Sequence, residues 1–147
     1  MFYGEYNHTV DDKGRVFIPS RFRQTSGGKQ IKKLYVTRGL EKCLFVYAEQ
    51  EWQSITQKFK DMSISKVNLR TFARLFFSGA CETPCDKQGR INIPNNLLQY
   101  GGISKDVVII GVSNHFEIWD TKMWNTFSAD SIGSYEKLAE ELVNLGI

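Results

Sequence analysis

The sequence is poor in the residues that build catalytic and covalent frameworks. Its 147 residues include two histidines, His8 and His115, and neither lies in a triad, HExxH or phosphate-loop pattern. Acid–base, nucleophilic or phosphate-loop chemistry therefore has no sequence support, and the chain reads as a non-enzyme with no small-molecule substrate. Three cysteines, Cys43, Cys81 and Cys85, make an odd and sparse set. Such a set excludes a disulfide scaffold and fits a reducing cytoplasm. The Cys81-x-x-x-Cys85 spacing could supply half of a metal site. Structural zinc takes four ligands, however, and only Cys43 and a histidine remain, so no metal and no cofactor are expected. No apolar run approaches the roughly 18 residues of a membrane span. The chain opens without a charged, then apolar, leader, so neither a signal peptide nor a membrane partner is expected. Low-complexity segments are also lacking.

What is present is ample apolar material: 41% hydrophobic and 13% aromatic residues, enough to bury a core. The net charge of +3 is mildly basic and by itself says little about nucleic acid.

The chain also repeats itself. Asp11-Asp12-Lys13-Gly14-Arg15-Val16-Phe17-Ile18-Pro19 returns as Asp86-Lys87-Gln88-Gly89-Arg90-Ile91-Asn92-Ile93-Pro94, in constant register. Phe2-Tyr3-Gly4 answers Phe77-Ser78-Gly79 at the same spacing. Gly39 answers Gly111 and Trp52 answers Trp124 at a slightly shorter one, which places extra residues of the first copy in Gly27-Gly28-Lys29-Gln30. A repeat of this length implies two copies of one supersecondary unit and internal pseudo-symmetry. The expected organisation is one α+β domain over 1–147, built of two tandem βαβ-type repeats at about 1–66 and 77–133. A helix near 67–77 joins them, and a C-terminal helix over 134–147 follows.

Local signals fill in each copy. Tyr3 to Val10 alternates as a strand, and Arg15 to Ile18 reads as its return strand across a tight hairpin at Asp11–Gly14. Pro19 ends that strand and opens a short helix through Arg23, as Pro94 does before Asn95 to Tyr100. Lys33–Thr37, Cys43–Tyr47, Val107–Val112 and His115–Trp119 are further strands. Trp52, Ile55, Phe59 and Met62 place an apolar face on a helix from Glu49 to Met62. Leu69, Phe72, Ala73 and Phe76 do the same for the linking helix, where Arg70 and Arg74 read as a solvated or salt-bridging pair. Asp120 starts a helix holding Trp124 and Phe127. Ser134 is expected to cap the last helix, with Leu138, Leu142 and Leu145 as its stripe. The aromatics Trp52, Phe59, Phe72, Trp119 and Trp124 read first as core.

The duplicated turn carries the chemistry. Asp11 and Asp86 can accept backbone N–H bonds within the turn and can hold Arg15 and Arg90 by a two-pronged, charge-assisted bond. Gly14 and Gly89 supply the left-handed conformation that brings the chain back. Each arginine is then presented at a rigid tip beside Lys13 or Lys87. Arginine is the commonest specific reader of guanine, and a β-ribbon can enter the major groove. A single such turn more often merely braces a hairpin, a role that contributes little to stability; the exact duplication shifts the balance towards a site.

With these turns, both following prolines, the opening Phe2-Tyr3-Gly4 and the stretch Arg70-Thr71-Phe72-Ala73-Arg74-Leu75-Phe76-Phe77-Ser78-Gly79-Ala80, the chain resembles the MraZ family of bacterial transcriptional regulators. That family is related to AbrB-like and MazE-like swapped-hairpin DNA-binding domains. The resemblance implies a swapped-hairpin, AbrB-like β-barrel with peripheral helices, a ring-shaped homo-oligomer, and a cytoplasmic, nucleoid-associated regulator. It implies binding to double-stranded DNA at repeated boxes upstream of the division and cell-wall gene cluster, including the protein's own gene. Arg15 and Arg90 would contact DNA, Asp11 and Asp86 would position them, and Lys13 and Lys87 are expected on phosphates. The alternative is an oligomeric interaction module or antitoxin-like partner binder that does not touch DNA.

Overall fold

The computed structural model describes residues 1–63 and 65–146, and alternating apolar residues and turn glycines divide these described residues into eight short strands. The strands are β1 (Glu5–Thr9), β2 (Arg15–Phe17), β3 (Lys33–Arg38), β4 (Leu44–Tyr47), β5 (Cys81–Pro84), β6 (Arg90–Asn92), β7 (Asp106–Val112) and β8 (His115–Asp120). The helices are α1 (Glu49–Lys60), α2 (Val67–Ser78), α3 (Asn95–Tyr100), α4 (Thr121–Ile132) and α5 (Tyr135–Glu140), with 3-10 turns at Ser20–Arg23 and Val143–Leu145.

Six strands form one sheet in the order β1-β7-β8-β4-β3-β5, and β2 pairs with β6 in a second, two-stranded sheet. Exchanging the two copies maps this order onto its own reverse, so the sequence repeat is a spatial pseudo-two-fold. Every strand pair described is antiparallel. The βαβ-type unit expected from sequence is therefore a run of antiparallel strands with helices at its ends, not a parallel crossover.

The hairpin reading of the turns needs the same kind of correction. The turns form, but β1 and β2 share only the Val10–Val16 bridge. β1 pairs instead with β7 of the other copy, β5 with β3, and β2 with β6. Burial explains the exchange. Val16 and Ile91 point inward and are almost wholly buried (0% and 1% exposed), so pairing the return strands with each other closes both over one core. That core joins both copies and includes Phe22, Leu34, Leu44, Leu97, Ile109, Phe116 and Ile118. Pro19 and Pro94 keep β2 and β6 short.

Helices close the flanks. The α1 helix ends at Lys60, before Met62, and lies against α2 through a stack of rings. Phe59 and Phe72 are 5.9 Å apart, Phe72 and Phe76 5.5 Å, and Trp52 and Phe76 5.7 Å. These aromatics form a satellite of the main core, and Phe72 remains exposed, whereas Trp119 is buried. The α2 C-terminus is tied to β3: Thr37 Oγ1 donates to the Phe76 carbonyl and Arg38 Nη1 to the Leu75 carbonyl. The first satisfies a carbonyl that the helix end leaves without a partner, and the second adds to the Gly79 N–H already on the Leu75 carbonyl.

The extra residues of the first copy form an exposed loop closed by the Gln24–Gln30 bridge, with Gly28 at φ 80°. Asp120 caps α4 by accepting from the Met123 N–H. Ser134 makes no such cap: its backbone continues the preceding turn (φ −99°, ψ 1°) and is not in the extended conformation that aims a cap's hydroxyl at the first-turn N–H groups. The helix expected over 134–147 is correspondingly shorter: α5 gives way to the 3-10 turn, Gly146 turns left-handed, and residue 147 lies outside the described residues. Leu138, Leu142 and Leu145 are exposed.

Candidate nucleic-acid interface

The two turns are built alike, bond for bond. In the first, Gly14 N–H donates to the Asp11 carbonyl at 3.0 Å and Asp11 N–H to the Arg15 carbonyl at 2.9 Å. In the second, Gly89 N–H donates to Asp86 at 3.0 Å and Asp86 N–H to Arg90 at 2.9 Å. Both glycines have φ near +80° (83° and 82°), where a side chain is strained.

Each aspartate divides its two oxygens between two tasks. Asp11 Oδ1 accepts the N–H groups of Lys13 and Arg15, while Oδ2 takes Arg15 Nε at 2.7 Å. Asp86 Oδ1 accepts Gln88 and Arg90 N–H, and Oδ2 takes Arg90 Nε at 2.8 Å. The two-pronged guanidinium bond expected from sequence is thus a single Nε bond, since the other oxygen is committed to the backbone. That bond uses one of the five N–H donors of each guanidinium. Both carboxyls are held below the usual aspartate range, chiefly by the backbone N–H of Arg15 or Arg90 and then by the guanidinium itself.

The arginines are neither buried nor loose. Their side chains are 33% (Arg15) and 21% (Arg90) exposed. Lys13 and Lys87 are exposed at the turn tips, and Gly14 and Gly89 are buried beneath them. Strand pairing then brings the two turns to opposite ends of one ribbon. Arg15 faces Asn92, Val16 faces Ile91 and Phe17 faces Arg90 across β2 and β6. Because Val16 and Ile91 point inward, Arg15, Phe17, Arg90 and Asn92 form the outer face.

Three members of this surface were not singled out in the sequence. Phe17 is 47% exposed, with the Arg90 guanidinium 5.8 Å from its ring centre. Asn92 Nδ2 donates to the Lys13 carbonyl at 3.3 Å. Arg23 donates through Nε to the Ile18 carbonyl and lies beside Gly89. The alternation of β2 and β6 does place Phe17 and Asn92 on the arginine face. Arg23 had no local signal, because only the exchange of strands carries it to the second turn.

A family profile matches the chain twice, over residues 1–75 and 76–145, and its description is the MraZ protein, antitoxin-like. The chain belongs to the MraZ family. Over its full length it is 49% identical to a protein of Acetivibrio thermocellus named transcriptional regulator MraZ, and the match covers all 147 residues of this chain and the whole of that relative. MraZ is a family of regulators and not of enzymes. The two profile matches divide the chain where the second Phe-x-Gly segment begins, so each MraZ unit carries one turn with its own turn arginine.

Other sequence candidates lie elsewhere. Cys43 is buried, and burial pushes its thiol well above the usual range; Cys81 and Cys85 are partly buried and shifted the same way. Among the described residues no group of three or more His, Cys, Asp or Glu side chains is placed to hold a metal. His115 sits between Asn114 and Glu117 on β8, and burial lowers the pKa of His8 on β1. Arg74 is exposed on α2 and Arg70 half-buried. No helix of the described residues is long and apolar enough to cross a membrane.

Proposed function

We propose that the chain is a sequence-specific, DNA-binding transcriptional regulator. The observation that carries this reading is the joint placement of Arg15 and Arg90 on the outer face of one ribbon, each oriented by its own aspartate. An oriented guanidinium with N–H donors to spare suits the N7 and O6 edge of guanine, and a two-stranded ribbon suits the major groove. Lys13 and Lys87 flank it as phosphate contacts. Asp11, Gly14, Asp86 and Gly89 set the arginine geometry. The name of the Acetivibrio thermocellus relative supports the regulatory role.

The strand exchange supports a fold of the swapped-hairpin, AbrB-like barrel type, in which one domain of two repeats (1–66 and 77–133) is completed by the linking helix and the C-terminal segment. The targets are repeated boxes upstream of the division and cell-wall gene cluster, including the protein's own gene, and the working place is the nucleoid in the cytoplasm. A net charge of +3 is small for tight DNA binding by one subunit. A ring of subunits on repeated boxes offsets that weakness, because linked sites gain roughly 10²–10⁴ in avidity. The exposed apolar residues of the peripheral helices, among them Phe72, Leu75, Ile132 and Leu138, are its candidate contacts. Promoter occlusion then regulates without chemistry.

The test is a gel-shift titration on DNA from upstream of the protein's own gene, with light scattering in parallel. Arg15→Ala and Arg90→Ala should each weaken binding while leaving the assembly intact. An unchanged affinity in the double variant rules the reading out. Binding should also weaken with salt, with a log–log slope of about −0.9 per phosphate neutralised.

A further inference from the structure

The pseudo-two-fold makes the two halves of the ribbon comparable position by position, and the differences in chemical character lie on side chains that face outward. Arg15 and Arg90 are twins, as are the buried Val16 and Ile91. Phe17 and Asn92 occupy the equivalent third position, and both are exposed. One is an apolar ring and the other an amide. Each lies across the ribbon from the arginine of the other half, Phe17 facing Arg90 and Asn92 facing Arg15.

The ends of the ribbon differ too. Gly89 of the second turn lies against the Arg23 side chain, whereas Gly14 of the first approaches Leu98, the counterpart of Arg23 in the repeat. At the first turn Asp11 and Asp12 balance Lys13 and Arg15. At the second, Asp86 stands against Lys87, Arg90 and the neighbouring Arg23. Lys105 lies beside the first turn, so both ends are positive, the second more so.

We propose that this ribbon reads duplex DNA with one polarity, Phe17 packing on a thymine methyl group in one half of the site and Asn92 reading an adenine edge in the other. This rests on the DNA-reading function proposed above and adds what each half recognises. The chemistry is specific. The thymine C5-methyl is the one apolar feature of the major-groove floor, and adenine offers an acceptor and a donor that an amide matches in pairs. The bond from Asn92 to the Lys13 carbonyl uses one of its two N–H donors, leaving the other and the carbonyl oxygen for a base. Phe17 is exposed despite its size, and its ring is steadied by Arg90. The charge difference orients the ribbon in the same sense, with the more positive end adding phosphate contacts. Two identical arginines alone would read a palindrome; this face reads a directional box.

The experiment is selection from a duplex library with a randomised core, using full-length wild type, Phe17→Asn, Phe17→Leu and Asn92→Ala, followed by affinity measurements on the enriched duplex. Both positions face outward, so the core is spared, and Phe17→Leu retains an apolar contact. Wild type should enrich a core whose two ends differ. Phe17→Asn should make them alike at the contacted positions, and Phe17→Leu should keep them different. Replacing the contacted thymine by uracil removes only the methyl group. It should weaken wild type about fourfold, the worth of one buried methyl-sized group, and leave Phe17→Asn nearly unaffected. Asn92→Ala should lose about fivefold or more of its adenine preference. A palindromic wild-type core, a uracil penalty that persists in Phe17→Asn, or an asymmetric core unchanged in Phe17→Asn and Asn92→Ala overturns the assignment while leaving the regulatory function standing. A wild type that enriches no sequence overturns both.

Discussion

Ile93 donates its backbone N–H to the Gly14 carbonyl at 2.8 Å, and a Cβ built on Gly14 would lie 2.7 Å from the Ile93 carbonyl oxygen. The first turn is thus docked, backbone to backbone, on the second half of the chain. The mirror contact runs from Ile18 N–H to the Gly89 carbonyl at 2.9 Å, but there a Cβ would meet the Arg23 side chain.

That difference ranks two substitutions. Gly89→Ala forces a left-handed alanine and displaces a flexible arginine, at a cost of about 1–2 kcal/mol. Gly14→Ala adds a collision with backbone that cannot swing aside, and should cost about 3 kcal/mol or more. Urea unfolding midpoints should fall in that order; equal midpoints would refute the role given to the Gly14–Ile93 contact.

The turn carboxylates give a pH signature. Asp11 and Asp86 are held below their ordinary value of 3.8 by N–H groups and guanidinium that favour the charged form. A depressed folded pKa means that the contribution to stability is fully present above the ordinary value and is lost as pH falls through the folded one. The turns should therefore be intact at neutral pH and loosen only below about pH 4. Carboxyl-carbon NMR titrations should place both midpoints below 3.8. Midpoints at or above that value would contradict the bonding seen in the turns.

The tie between α2 and β3 is testable without touching the ribbon. Thr37 is wholly buried and its hydroxyl bonds the Phe76 carbonyl. Thr37→Val keeps the shape and leaves that carbonyl unmet, which should cost about 1–3 kcal/mol. Thr37→Ser keeps the bond and loses a methyl group, at about 0.8 kcal/mol. Thermal melts that rank Ser below Val would show that packing, and not the bond, secures the helix.

Assembly should depend on the exposed apolar residues of the last two helices. Ile132 is 70% exposed and Leu138 53% exposed. Charged replacements, Ile132→Glu with Leu138→Glu, remove no core contact and should shift the protein to smaller species in light scattering while circular dichroism stays unchanged. A mass that does not change would rule these helices out as the contacts of the proposed ring.

Much of the local structure was legible. The span of α3 coincides with the expected Asn95–Tyr100, and the reading of α2 from Val67 is one residue short at its end. The turns were readable because aspartate, glycine and proline act through their own backbone neighbourhood. The partners of the strands were not. Alternation reports which face of a strand is apolar, but β1 has the same pattern whether it pairs with β2 or with β7. Phe17 shows the same limit from the other side: its place beside Arg90 exists only because β2 lies against β6. Ser134 failed as a cap because its backbone continues the turn that ends α4, a conformation that propensity does not record.

By itself the sequence determined the duplication, the two Asp–Gly–Arg turns and the residues each would orient, since these depend on interactions within a few positions of the chain. Tertiary structure alone decided that the halves exchange strands, that both arginines share one face, and that Phe17, Asn92 and Arg23 join them. Val16 and Ile91 can be buried together only when the return strands of the two repeats pair with each other, and that choice rests on a common core that no local pattern describes.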